Sequence, residues 1–255
     1  LDSNRISDIS PLCGLTNLTG VRLCDNQIRE IPQLQGLASL QYLQLGNNMI
    51  GDVSGLSELT GLVGLGLQGN RLSDISPLSG LTGLRRLGLE GNQICDLSPL
   101  AGLTGLEYLW LGGNRVADLS PLYGLARLQV LCVQDNEIAD VPRLPGLNSL
   151  NYLYLDGNRI SDVSPLTSLT GLWYLQLGGN QVSDFSQLAS LPNLATLYLD
   201  HNQISPLAPV RDFPGLVYLD LSGNVISDVS PLAGLTSLPE LCLDNNLISD
   251  VSPLS

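Results

Sequence analysis

Residues 106–125 read LEYLWLGGNRVADLSPLYGL, with apolar side chains at Leu106, Leu109, Leu111, Val116, Leu119, Leu122 and Leu125 spaced around Asn114. Shifted by 22 residues, the same spacing returns in both directions. Asn4, Asn26, Asn48, Asn70, Asn92, Asn114, Asn136, Asn158, Asn180, Asn202, Asn224 and Asn246 form a ladder without one insertion or deletion. A fixed period of this length marks a solenoid, in which each period is one coil that cannot hide its apolar face alone. Stacked coils can hide it, because neighbours share a continuous core and pair strand to strand at about 4.8 Å. Residues 1–255 are therefore expected to form a single elongated array of eleven to twelve coils.

Around each Asn the pattern L-x-x-L-x-L-x-x-N-x-L is similar to the leucine-rich repeat, a short strand followed by a turn and a brief irregular or 3-10 segment. The Asn carries two donors and an acceptor, and is expected to bond backbone groups that a sharply turning coil leaves unpaired. Four positions after it, Asp recurs in ten coils, with Glu30 and Pro206 in the other two. Ser-Pro-Leu follows in several coils, as at Ser98-Pro99-Leu100. A Ser cap before Pro at the first helical position is expected to start a short helical turn there. Glycines beside the ladder, as in Gly112-Gly113 and Gly178-Gly179, are expected in turns.

The segments LSDISPLSGLTGL at 72–84 and ISDISPLCGLTNL at 6–18 make the resemblance specific. Over essentially its whole length the chain resembles the 22-residue leucine-rich repeats of bacterial internalin-like proteins and of phosphatase-regulatory relatives. This resemblance implies an α/β repeat solenoid, a right-handed superhelix with a parallel β-sheet on its concave face and turns or short 3-10 segments on its convex face. It also implies recognition of macromolecules, with no catalytic residues and no cofactor. The chain departs from the internalin pattern in lacking the helical cap before the array and the immunoglobulin-like cap after it. Leu1 falls at the last core position of a strand and Ser255 nine residues past Asn246, so both ends are expected to be truncated within repeats.

Composition narrows the function. A net charge of −13, with every basic residue an Arg, disfavours nucleic acid, which needs a basic face. Without lysine there is no phosphate-binding G-x-x-x-x-G-K-[ST] loop, and no apolar run approaches the roughly 18 residues of a membrane span. One Asp per coil supplies too few oxygens for calcium, so that row is expected to be solvated or bonded within turns. His201, the only histidine, adjoins Asn202 and is expected in a surface turn. Asp200 and Asp220 occupy different columns, so neither base nor carboxylate pair is set up for catalysis. The five cysteines occupy unrelated repeat positions and are expected to be free. Cys132 and Cys242 share a column five coils apart, roughly 24 Å, too far for a disulfide. Free thiols suit a reducing compartment and the resemblance suits a cell surface, so localisation stays open.

Function is expected in the residues six, four and two before each Asn, which alternation sends outward while the leucines point inward. Seven of the eight tyrosines and Trp110 fall there, whereas Phe185 and Phe213 take core positions. Tyr108, Trp110, Tyr152, Tyr154, Asp156, Tyr174, Gln176, Tyr198, Asp200, Tyr218 and Asp220 form the expected partner-binding surface. Its aromatic and acidic character suits a protein or peptide partner, a basic one above all. Trp173 could extend the patch, and the half bearing Arg22, Arg86 and several glycines is expected to contribute less. Two rival uses of the same residues are a glycan polymer stacked on the rings and a structural spacer. Tyrosine is also a good residue for exposed sheet packing.

Overall fold

The computed structural model describes residues 1–34, 36–233 and 237–254, so Ser255 lies outside them. Eleven strands of three residues each stack in chain order into one parallel sheet. They are β1 (Gly20–Arg22), β2 (Tyr42–Gln44), β3 (Gly64–Gly66), β4 (Arg86–Gly88), β5 (Tyr108–Trp110), β6 (Val130–Cys132), β7 (Tyr152–Tyr154), β8 (Tyr174–Gln176), β9 (Thr196–Tyr198), β10 (Tyr218–Asp220) and β11 (Glu240–Cys242). Each residue pairs with the one 22 positions on, as Leu109 with Leu131. The columns of the sequence are therefore the columns of the sheet. The middle residue of each strand turns inward, and in β2 to β10 it is a buried leucine. The whole is a leucine-rich repeat superhelix with this sheet on its concave face. Phe185 and Phe213 stack inside it with centroids 6.0 Å apart.

The ladder asparagines join one coil to the one before. Asn136 donates from Nδ2 to the Val133 and Gln134 carbonyls of its own coil and to the Leu111 carbonyl of the preceding coil. Its Oδ1 accepts the Val116 N–H at 2.9 Å, also from the preceding coil. The same pattern holds from Asn48 to Asn224, in side chains that are all buried. The residue just before the Asn has a left-handed backbone in every described coil. Glycine fills that position six times, and Ser3, Asp25, Asn47, Asp135, His201 and Asn245 fill it otherwise. His201 is thus a turn residue. Gly113 is one too, but its neighbour Gly112 is not: it lies on the sheet face, where a side chain would strike the Gln134 amide.

On the convex side the serine of Ser-Pro-Leu does not cap the 3-10 turn with its side chain. The carboxylate two residues earlier does that work. Asp96 Oδ1 accepts the Ser98 N–H at 2.8 Å while the Ser98 hydroxyl donates to Oδ2, and eight other coils repeat the N–H bond. The aspartate row is a set of turn clamps. After Asp140 the residue in the serine position is Pro142, which has no N–H to give, and no 3-10 turn forms at residues 141–147. Where Pro206 replaces the Asp, Arg211 ties its turn to the next coil by donating to the Pro231 and Ala233 carbonyls.

These bonds hold the Asp8, Asp74, Asp96, Asp184 and Asp250 carboxyls below the ordinary range, chiefly through the serine N–H. For Asp228 the serine hydroxyl contributes most. A pKa depressed by folding contributes stability above the unfolded value of about 3.9 and loses it as pH falls through the folded value. Melting temperature is therefore expected to fall steeply below pH 4. In a variant with Asp74, Asp96 and Asp184 changed to Asn, that acid-side drop should be visibly shallower when melts are recorded across the same pH series.

Candidate partner-binding face

Side chains of the concave face sort into two ring clusters rather than one patch. In the first, Tyr108 and Trp110 stack with centroids 5.8 Å apart, and the Arg86 guanidinium lies 5.2 Å from the Tyr108 ring. The register explains this contact, because Arg86 and Tyr108 are paired residues of β4 and β5. Arg86 thus sits among the aromatics of the first cluster.

The second cluster runs without a break from β7 to β10. Tyr174 meets Tyr152 at 5.9 Å, Tyr154 at 5.2 Å and Tyr198 at 5.6 Å, and Tyr198 meets Tyr218 at 4.9 Å. Trp173 closes on Tyr152 edge to face at 5.7 Å. Its position just ahead of the strand was the only signal in the sequence for this contact. Val130 and Cys132 of β6 separate the two clusters, and among the described residues no ring contact bridges them.

Acidic and polar groups flank the second cluster unevenly. Asp156, Gln176 and Asp200 line a hollow of about 280 Å³ floored by Gly178, with His201 at its edge 3.0 Å from Asp200. Burial raises the Asp156 carboxyl above its usual range, and its Oδ1 is withdrawn from water without a hydrogen-bond partner. Asp220 is turned inward on its own chain, accepting the Ser222 N–H at 2.9 Å. Burial likewise raises Tyr154 and Tyr174, whereas Tyr218 is raised first by its contact with the Cys242 sulfur at 3.6 Å. Cys132, paired between Trp110 and Tyr154, is buried, and its thiol is pushed up to about 12, mostly by that burial. All five cysteines are free. Among the described residues, no group of three His, Cys, Asp or Glu side chains could hold a metal ion, and no helix is long and apolar enough to cross a membrane.

Family models agree with this geometry. One described as leucine rich repeats (2 copies) matches residues 16–58, 60–102, 84–124, 126–168 and 214–255, and another described as leucine rich repeat matches 148–204. Curated protein sequences give no significant match. Among solved structures, an internalin of Listeria monocytogenes is 38% identical with a TM-score of 0.93, over 100% of this chain and 76% of that one. A leucine-rich repeat protein of Leptospira interrogans is 30% identical with a TM-score of 0.90, over 98% of this chain and 66% of that one. The internalin C2 of Listeria monocytogenes is 37% identical with a TM-score of 0.60, over 77% of this chain and 78% of that one. This chain belongs to the leucine-rich repeat family and is internalin-like in its repeats.

Proposed function

We propose that the chain recognises a basic protein or peptide segment through the aromatic and acidic face of β7 to β10. Leucine-rich repeat proteins generally mediate protein–protein recognition, and their folds are typically binding modules without catalytic activity. The observation that carries the finer reading is the unbroken path of ring contacts from Trp173 to Tyr218 beside Asp156 and Asp200. Such rings give large contact area with little rotamer entropy to lose, and they attract guanidinium and ammonium groups to their faces. The unpartnered Asp156 oxygen supplies an acceptor that a partner's donor would satisfy.

The test is a peptide array of matched arginine-rich, neutral and glutamate-rich sequences, probed with the wild-type chain and with an equally folded Tyr154→Ser, Tyr198→Ser variant. Capture is expected on arginine-rich peptides alone and absent with the variant. Because folding raises the Asp156 carboxyl, a bound cation should pull it down again and release a proton. Affinity is therefore expected to weaken as pH falls from 7 into the range just above 3.8, the carboxyl's ordinary value. Equal binding to acidic peptides, or affinity indifferent to the tyrosine changes, would sink this reading.

A further inference from the structure

A second concavity of about 360 Å³ lies across β2 to β5, on the side of β6 away from the tyrosine path. Its floor is Gly64, Gly66 and Gly88, none of which needs a left-handed backbone. Their effect is lateral. A side chain at Gly64 would meet the Tyr42 ring at 2.9 Å, and one at Gly66 would collide with the Gln44 amide oxygen. At Gly88 it would meet Glu90 Oε2 at 3.2 Å and Gln68 Oε1 at 3.6 Å. With these positions bare, Tyr42, Gln44 and Gln68 lean across neighbouring strands and Glu90 folds back over Gly88 of its own coil, instead of standing off the sheet. The result is a shallow basin carpeted by planar groups, with Trp110 and Arg86 at its far side.

Three features define what this basin suits. The only charged groups lining it are Arg86 and Glu90, of opposite sign, so neither a cation nor an anion is favoured. Glu90 Oε2 is withdrawn from water and without a partner, so it calls for a donor. Carboxamides and a carboxylate present paired polar atoms that match neighbouring hydroxyls, while Tyr42 and Trp110 offer apolar faces at either end. The volume falls at the small end of ligand sites, about 300–1,000 Å³. We propose that the glycine-floored basin of β2 to β5 binds a neutral saccharide, stacked on Trp110 and Tyr42 and hydrogen-bonded by Gln44, Gln68, Arg86 and Glu90. This site is independent of the peptide-binding reading.

The test uses cellopentaose, mannopentaose and chitopentaose on a Trp173→Phe background, which leaves Trp110 as the sole tryptophan. At least one sugar is expected to shift Trp110 emission saturably, with matching calorimetric heat. Gly88→Tyr should weaken it at least tenfold, filling the basin with the residue that Tyr154 and Tyr198 place at the same repeat position. Gln44→Ala, which removes a partly exposed amide, should weaken it as well and covers the case in which Gly88→Tyr misfolds. Tyr174→Ala should leave it unchanged. No saturable shift with any of the three up to about 10 mM, or binding that survives both basin variants, would overturn the proposal. Binding lost with Tyr174→Ala instead would place any sugar on the tyrosine path and overturn it equally.

Discussion

Asn158→Ala is expected to lower unfolding free energy by about 2–4 kcal/mol. The Ile138 N–H loses the Oδ1 it bonds at 3.0 Å, and a backbone N–H has no second way to be satisfied there. The carbonyls that Asn158 serves fare better. Val133 keeps Asn136, Leu155 keeps Asn180, and Asp156 keeps the Asp135 N–H. One orphaned donor plus three weakened acceptors gives that range, and for a chain of this size it corresponds to a melting shift of roughly 5–15 °C. Asn158→Asp should do no better than alanine, since it sets a carboxylate oxygen against those same carbonyls. The contrast is Asn4→Ala. Its exposed amide bonds only Leu1 and Asp2 carbonyls, so the change should stay within about 0.5 kcal/mol. Because coils interact mainly with neighbours, the Asn158 lesion should also broaden the urea transition. Equal melting curves for Asn4→Ala and Asn158→Ala would show that the ladder is not the fastening between coils.

The array was legible in the sequence because a 22-residue register leaves no freedom: once Asn114 and Asn136 are aligned, Trp110 must pair with Cys132 and Leu109 with Leu131. What the pattern hid was direction within a column. Ser98-Pro99 looks like a capping serine before a first-turn proline, yet Asp96 is nearer the N–H that needs an acceptor and takes it. Column membership likewise placed Arg86 and Tyr108 in one row without revealing that they meet ring to guanidinium. The basin depends on side chains leaning over bare glycine positions, as Tyr42 does over Gly64 and Gln44 over Gly66. The run Gly64, Gly66, Gly88 was the available signal, and its meaning lies between strands rather than along the chain. Similarly, Asp220 shares a row with Trp110 and Tyr154 but spends one oxygen on its own turn, which spacing alone could not disclose.

Tyr174→Ala should weaken the arginine-peptide interaction by about 2 kcal/mol or more, roughly thirtyfold in affinity, without altering the melting curve by more than about 0.5 kcal/mol. Tyr174 is the hub of the path, the one ring that touches Tyr152, Tyr154 and Tyr198 together. Removing it breaks the aromatic surface into three pieces, Trp173 with Tyr152, Tyr154 alone and Tyr198 with Tyr218, and opens water between them, whereas loss of Tyr218 at the end would only shorten it. The leucine core lies on the opposite side of β8, where Leu175 is fully buried, so stability should be spared. Tyr174→Phe keeps the ring stack and should retain most of the affinity, which separates packing from hydrogen bonding by the hydroxyl. Tyr123→Ala, on an exposed tyrosine beside the 3-10 turn Ser120–Leu122, should change nothing. Calorimetric titration of the four proteins with one array-selected peptide decides the matter. If Tyr174→Ala binds as the wild type does, the rings are cross-strand packing on an exposed sheet and the partner sits elsewhere.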